Sequence, residues 1–92
     1  MSQLLPRMDA RGEPIKVGDF VLVRDIPEHL LRDLPEEDQQ AISSQRGQTL
    51  KVIAFDDYGH AELEFVDADG AFHTIWIEPY CLERQQTAAD QA

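Results

Sequence analysis

Ile15-Lys16-Val17-Gly18-Asp19-Phe20-Val21-Leu22-Val23 decides the fold of this chain. A Val-Gly-Asp turn, whose aspartate can bond to its own backbone, runs directly into four apolar residues that read as a buried strand. With further β segments after it, this opener predicts a small β-barrel. It is silent on what the barrel does.

Working outward, strand one covers residues 19 to 25. A polar, acidic insertion follows, in which Asp25-Ile26-Pro27-Glu28 is echoed eight residues on by Asp33-Leu34-Pro35-Glu36. In both copies a proline stands where a first helical turn accepts it, with acids that complement a helix N-terminus. A short helical turn is expected over 27–32 and a longer helix over 35–44, ended near Gly47. Leu30, Leu31 and Leu34 form one inward face and Ala41 and Ile42 the other, so the insertion is expected to lie over one end of the barrel.

Strand two runs over 48–55, and Asp56-Asp57-Tyr58-Gly59 is a turn with Gly59 at positive φ. Strand three, 60–66, alternates: Ala61, Leu63 and Phe65 to one side, Glu62 and Glu64 to the other. Asp67-Ala68-Asp69-Gly70 is a second hairpin turn. Strand four covers 71–78, with Ile75 and Ile77 on one face and Phe72, Thr74 and Trp76 on the other. Pro79 removes a ladder donor, so one helical turn and a short last strand from Leu82 are expected to close the barrel. Residues 1–13 have no periodicity and read as a flexible arm, 85–92 as a flexible tail, and 14–84 as one domain with the insertion over about 26–46.

Gly18-Asp19-Phe20-Val21-Leu22-Val23, a long loop, Arg46-Gly47-Gln48, a three-strand meander and Ile77-Glu78-Pro79-Tyr80-Cys81-Leu82 together resemble an SH3-like small barrel. The resemblance spans residues 15 to 84. It implies a mainly β protein: an antiparallel barrel of about five strands with a short helical insertion between strands one and two. Gly18-Asp19 and Arg46-Gly47 also resemble the barrels of the nitrile hydratase β subunit and the ferredoxin–thioredoxin reductase variable chain, non-catalytic partners of a metal-bearing subunit. The first loop holds no aromatic residue, so polyproline recognition in the manner of peptide-binding SH3 domains is not expected.

Eighteen acidic residues stand against eight basic ones, a net charge of −10. Residues 25–38 carry six acids against Arg32 alone, and residues 56–69 carry six against no base. Nucleic-acid binding depends on Lys and Arg at phosphates, so this surface repels nucleic acid and, by the same argument, anionic membranes. No stretch approaches the roughly 18 apolar residues of a membrane span and no basic-then-apolar leader opens the chain, so a cytoplasmic protein is expected. The single cysteine has no internal disulfide partner.

Enzyme chemistry finds little here. Cys81 lies among acids, which oppose a reactive thiolate, and reads as a buried apolar filler. His29, His60 and His73 lack ligand spacing; His60 and His73 on adjacent strands can meet, but exposed strand histidines are the better reading and no metal or cofactor is expected. A barrel this small is filled by its own side chains, leaving no pocket to separate the pKa values of paired carboxylates. The expected role is a non-enzymatic protein-interaction or accessory module. Its contact surface is assigned to Phe72, Trp76 and Tyr58, with Glu36, Glu37 and Asp38 steering a partner with a basic surface. A small non-catalytic subunit of a metalloenzyme is the alternative that the resemblance implies. Two fates are open to Trp76: an exposed patch, or cover by Leu30, Leu31 or Leu34, the commoner one for an aromatic ring. Tyr80 is expected to pack at the closing turn.

Overall fold

The computed structural model describes residues 4–85. Five antiparallel strands form one sheet: β1 (Phe20–Val23), β2 (Thr49–Phe55), β3 (Ala61–Val66), β4 (Phe72–Ile77) and β5 (Leu82–Gln85), in spatial order β4-β3-β2-β1-β5. A 3₁₀ turn at Glu28–Leu30 and helix α1 (Glu36–Ser43) fill the β1–β2 connection, and a second 3₁₀ turn, Pro79–Cys81, precedes β5. Every element expected from the sequence is present, each within about two residues of its expected ends. The tail begins later than expected: Gln85 belongs to β5, and residues 86–92 lie outside the described residues. Among the described residues β4 and β5 do not pair, so the sheet is open with these two strands as its edges, and the barrel closure expected of the last strand is not seen.

β2 is shared between two partners. Residues 49–51 pair with β1, whereas Val52, Ala54 and Phe55 pair with β3. The register slips between Val52 and Ala54, a bulge that bends the strand and turns the meander across the first pair. The bend encloses a core in which Val21, Val23, Val52, Leu63, Ile77 and Leu82 are fully buried, with Ile26 and Ile42 from the insertion and Ile15 ahead of β1. β1 is not buried on both faces as its four apolar residues suggest. Val21 and Val23 enter the core and Phe20 stays 41% exposed, because among the described residues no second layer covers the outer face.

α1 starts after Pro35, one position earlier than the N1 site favoured for proline, and Glu36, Glu37 and Asp38 occupy its first turn. Ile42 is its buried residue, while Leu30, Leu31, Leu34 and Ala41 pack against the core edge. The insertion is therefore anchored by apolar contact at both of its halves.

One local structure recurs three times. In Asp9-Ala10-Arg11-Gly12-Glu13, Asp56-Asp57-Tyr58-Gly59-His60 and Asp67-Ala68-Asp69-Gly70-Ala71, the aspartate N–H donates to the carbonyl of the fifth residue and its carbonyl accepts from the glycine. In each, Oδ1 accepts the N–H groups of the third and fifth residues at 2.8–2.9 Å. The glycines take φ of +83°, +94° and +87°, the left-handed position that closes a hairpin through a bulge.

The first of these turns corrects the expectation of a flexible arm. Met8 bridges to Pro14, Ile15 N donates to Arg7 O, and Arg7 lies 4.4 Å over the Phe55 ring. The hairpin is laid along β5: Ala10 N donates to Leu82 O at 2.8 Å, Arg84 N to Asp9 Oδ2 at 2.7 Å, and Arg11 Nη2 to Arg84 O at 3.0 Å. Burial acts to raise the Asp9 pKa, but the N–H donors of Arg84, Glu13 and Arg11 outweigh it and hold the carboxyl below 3.8.

Asp9→Ala removes three charge-assisted bonds and is expected to cost about 3 kcal/mol at neutral pH. Because the folded pKa is depressed, this stabilisation is present above pH 3.8 and fades as pH falls through the folded value. Thermal unfolding from pH 7 to pH 2 should therefore show the wild-type advantage over Asp9→Ala shrinking below that point. A Cβ at Gly59 would lie 2.5 Å from the Leu5 carbonyl oxygen, whereas one at Gly70 meets nothing within 4 Å. Gly70→Ala should cost about 1 kcal/mol of conformational strain, and Gly59→Ala should exceed it by at least about 1 kcal/mol in the same denaturation experiment.

Candidate functional site

Alternation along β4 sorts its residues onto two faces. Ile75 and Ile77 enter the core, and Trp76 and Phe72 project from the other face at 45% and 63% exposure. Cross-strand, Trp76 opposes Glu62, Thr74 opposes Glu64 and Phe72 opposes the exposed Val66. The insertion does not cover the tryptophan. Leu30 and Leu34 instead stand beside β4, and together with Ile42, Trp76, His29 and His60 they line an open groove of about 390 Å³. Tyr58, 59% exposed, meets His60 edge-to-face at 6.4 Å and so borders the same region.

Of the residues assigned to a contact surface, the fold thus gathers Trp76 and, through His60, Tyr58. Phe72 lies at the far end of β4, beside the Asp67–Gly70 turn. There Glu37 and Asp38 line a second groove of about 470 Å³ with Asp67, Asp69 and His73. Glu36 lies in the first turn of α1, outside both grooves. The acids therefore flank one end of β4 and the apolar groove runs along its other end.

Each histidine is paired with a carboxylate. His29 Nε2 lies 2.6 Å from Glu78 Oε2, His60 Nδ1 lies 3.0 Å from Asp56 Oδ2, and His73 Nε2 lies 2.8 Å from Asp67 Oδ2. His73 also stacks on Phe65, with centroids 4.9 Å apart, so it is not the exposed strand residue expected. The β3–β4 register sets Phe65 opposite His73 and Ala61 opposite Ile77, which keeps His60 and His73 apart. Among the described residues no group of three or more His, Cys, Asp or Glu side chains is arranged to hold a metal ion. At Asp67 the His73 bond and the N–H donors of Ala71 and Asp69 hold the pKa below the usual carboxylate range. At Asp56 burial opposes the shift, but the donors of His60 and Tyr58 prevail.

The His29–Glu78 contact spans 49 residues and ties the insertion to the end of β4. Glu78 is buried, and among the described residues its Oε1 has no hydrogen-bond partner. No local pattern in the sequence announces this pair, since neither residue lies within a motif that names the other. Tyr80, expected to pack at the closing turn, is instead exposed.

Comparison with protein-family models, with curated proteins and with solved structures gives no match to this chain. Among the described residues no helix is long and apolar enough to cross a membrane.

Cys81 is buried, and desolvation together with the charges of Glu78 and Asp25 pushes its thiol up to about 11. At pH 7.5 such a group is almost entirely thiol and shielded. Alkylation by iodoacetamide, followed by mass spectrometry, should be at least about a hundredfold slower in the folded protein than in denaturant, where the thiol is exposed and its pKa is ordinary.

Proposed function

We propose that this protein is a non-enzymatic protein-interaction module of SH3-like architecture that docks a partner along β4. Support for the architecture is the order β4-β3-β2-β1-β5, the long insertion between β1 and β2, and the 3₁₀ turn before β5. The single observation that carries the functional reading is Trp76, a large aromatic left 45% exposed beside an apolar groove. An aromatic anchor next to a concave apolar surface with a charged surround is the anatomy of an interface hot spot.

The charge distribution supports a partner with a basic surface. Between Val52 and Glu83 the sequence contains no Lys or Arg, and Glu62 and Glu64 share the Trp76 face through their cross-strand pairing. A partner bearing Lys or Arg is steered to this face, with a rate of association that falls as salt rises.

Trp76→Ala is expected to cost about 1 kcal/mol of stability, well under the roughly 3–5 kcal/mol of a fully buried aromatic. Affinity capture from a native lysate should retain a stoichiometric protein on the wild-type chain and lose it on the folded Trp76→Ala chain. Equal capture by both would remove Trp76 from the contact surface.

A further inference from the structure

The two edges of the sheet are treated differently. On β5, the outward groups of Leu82 and Arg84 are taken up by Ala10, Asp9 and Arg11 of the N-terminal hairpin. On β4 the Glu28–Leu30 turn lies alongside, but among the described residues it takes up none of the strand's outward main-chain groups. Asp67 N donates to Ala71 O, so residues 67 and 71 form a hydrogen-bonded pair. Alternation then makes 65/73, 63/75 and 61/77 the bonded pairs of this ladder and turns the N–H and C=O of Phe72, Thr74 and Trp76 outward. Within the described residues, none of these groups has a hydrogen-bond partner on the protein.

Natural edge strands are blunted by lysine, proline, a bulge or a covering element. β4, Phe72-His73-Thr74-Ile75-Trp76-Ile77, carries no lysine, proline or carboxylate, and its pairing with β3 continues without a bulge. Beside it runs the groove lined by Thr74, Ile75 and Trp76 on the strand and by Leu30 and Leu34 on the insertion. An unpaired strand edge facing an apolar wall is the geometry used to add an extended peptide to a sheet, with main-chain bonds supplying affinity and alternate side chains entering the groove.

We infer that the free edge of β4 accepts an extended, basic segment of a partner protein as an added strand, its alternate apolar side chains seated between Trp76 and Leu30–Leu34. Charge selects this occupant. Glu62 and Glu64 lie one strand in, Asp67, Asp69, Glu37 and Asp38 flank one end, and no Lys or Arg occurs from Val52 to Glu83. A second copy of the chain would bring ten net negative charges against ten. The inference rests on the interaction-module reading but concerns main-chain pairing, which the aromatic contact alone does not require.

The probe is a synthetic octapeptide of alternating lysine and valine, with a glutamate–valine octapeptide as control, titrated against the full chain. Trp76, the sole tryptophan, reports binding by fluorescence, and hydrogen exchange read by NMR reports the amides. The lysine peptide should bind saturably at or below about 1 mM and slow exchange at Phe72, Thr74 and Trp76 by at least about tenfold; the glutamate peptide should do neither. Thr74→Pro removes only an outward N–H, a change tolerated on an edge strand, and should weaken binding by at least about tenfold. Where Thr74→Pro fails to fold, the lysine peptide N-methylated at alternate residues replaces it: one of the two methylation registers should abolish binding.

Binding that survives these blocks, or leaves the three amides unprotected, overturns strand addition while leaving a side-chain docking module intact. Absence of saturable binding by the lysine peptide overturns the proposed occupant. Protection of the same amides without peptide, rising with protein concentration in step with dimerisation, would make the occupant a second copy and overturn the proposal as well.

Discussion

A single interaction, an aspartate carboxylate accepting the N–H groups two and four residues ahead, sets the shape of this molecule. It closes the β2–β3 hairpin at Asp56, the β3–β4 hairpin at Asp67 and the N-terminal hairpin at Asp9. Each closure fixes a register, and register decides which side chains reach the core. Were the Asp67 turn to slip by one residue, Ile75 and Ile77 would face solvent while Trp76 and Thr74 turned inward. The core has few large residues with which to resist such a slip, so turn chemistry has to specify what packing alone specifies weakly in a domain of this size.

The same carboxylate at Asp9 does a second task. Its free Oδ2 accepts from Arg84 N, and the hairpin it closes covers the outer edge of β5. That contact creates an asymmetry: one edge of the sheet is consumed within the chain, and among the described residues the other takes no main-chain partner. The insertion adds to it by placing Leu30 and Leu34 beside β4, with His29 held to Glu78. The groove therefore follows from packing at a distance from it, since its wall is set by apolar anchors such as Ile42 and by a contact bridging 49 residues.

Periodicity made the strands legible. The alternation of Ala61, Leu63 and Phe65 against Glu62 and Glu64, and of Ile75 and Ile77 against Trp76, passes directly into the burial pattern. The Asp-x-x-Gly turns at 56–59 and 67–70 were legible because strands flank them. The identical Asp9-x-x-Gly12 signal is present but has no alternating run on either side, so its hairpin is recognisable only once Leu82 and Arg84 are seen to take its bonds. Nor does sequence reveal where a partner side chain arrives from. The His29–Glu78 and His73–Asp67 pairs depend on three-dimensional closure, and the exposure of Trp76 depends on which side of β4 the insertion passes. Phe20 misleads for the complementary reason, because an unbroken apolar run carries no mark of a missing second layer.

The open edge poses a physical problem that the charge resolves. A strand with Phe72 and Trp76 outward and no lysine, proline or bulge of its own invites pairing with its own kind. The safeguard here is global: acids stand at both hairpin turns, on the outer face of β3 and in the first turn of α1, and they outnumber the bases around the strand. Two such strands approaching each other bring these fields together at separations near the Debye length of about 8 Å, where repulsion is only partly screened. A basic segment meets the same field as attraction. One charge distribution thus opposes pairing between copies and, on the proposed reading, favours an oppositely charged segment, which is how a strand without a lysine or proline of its own is kept from pairing with its like.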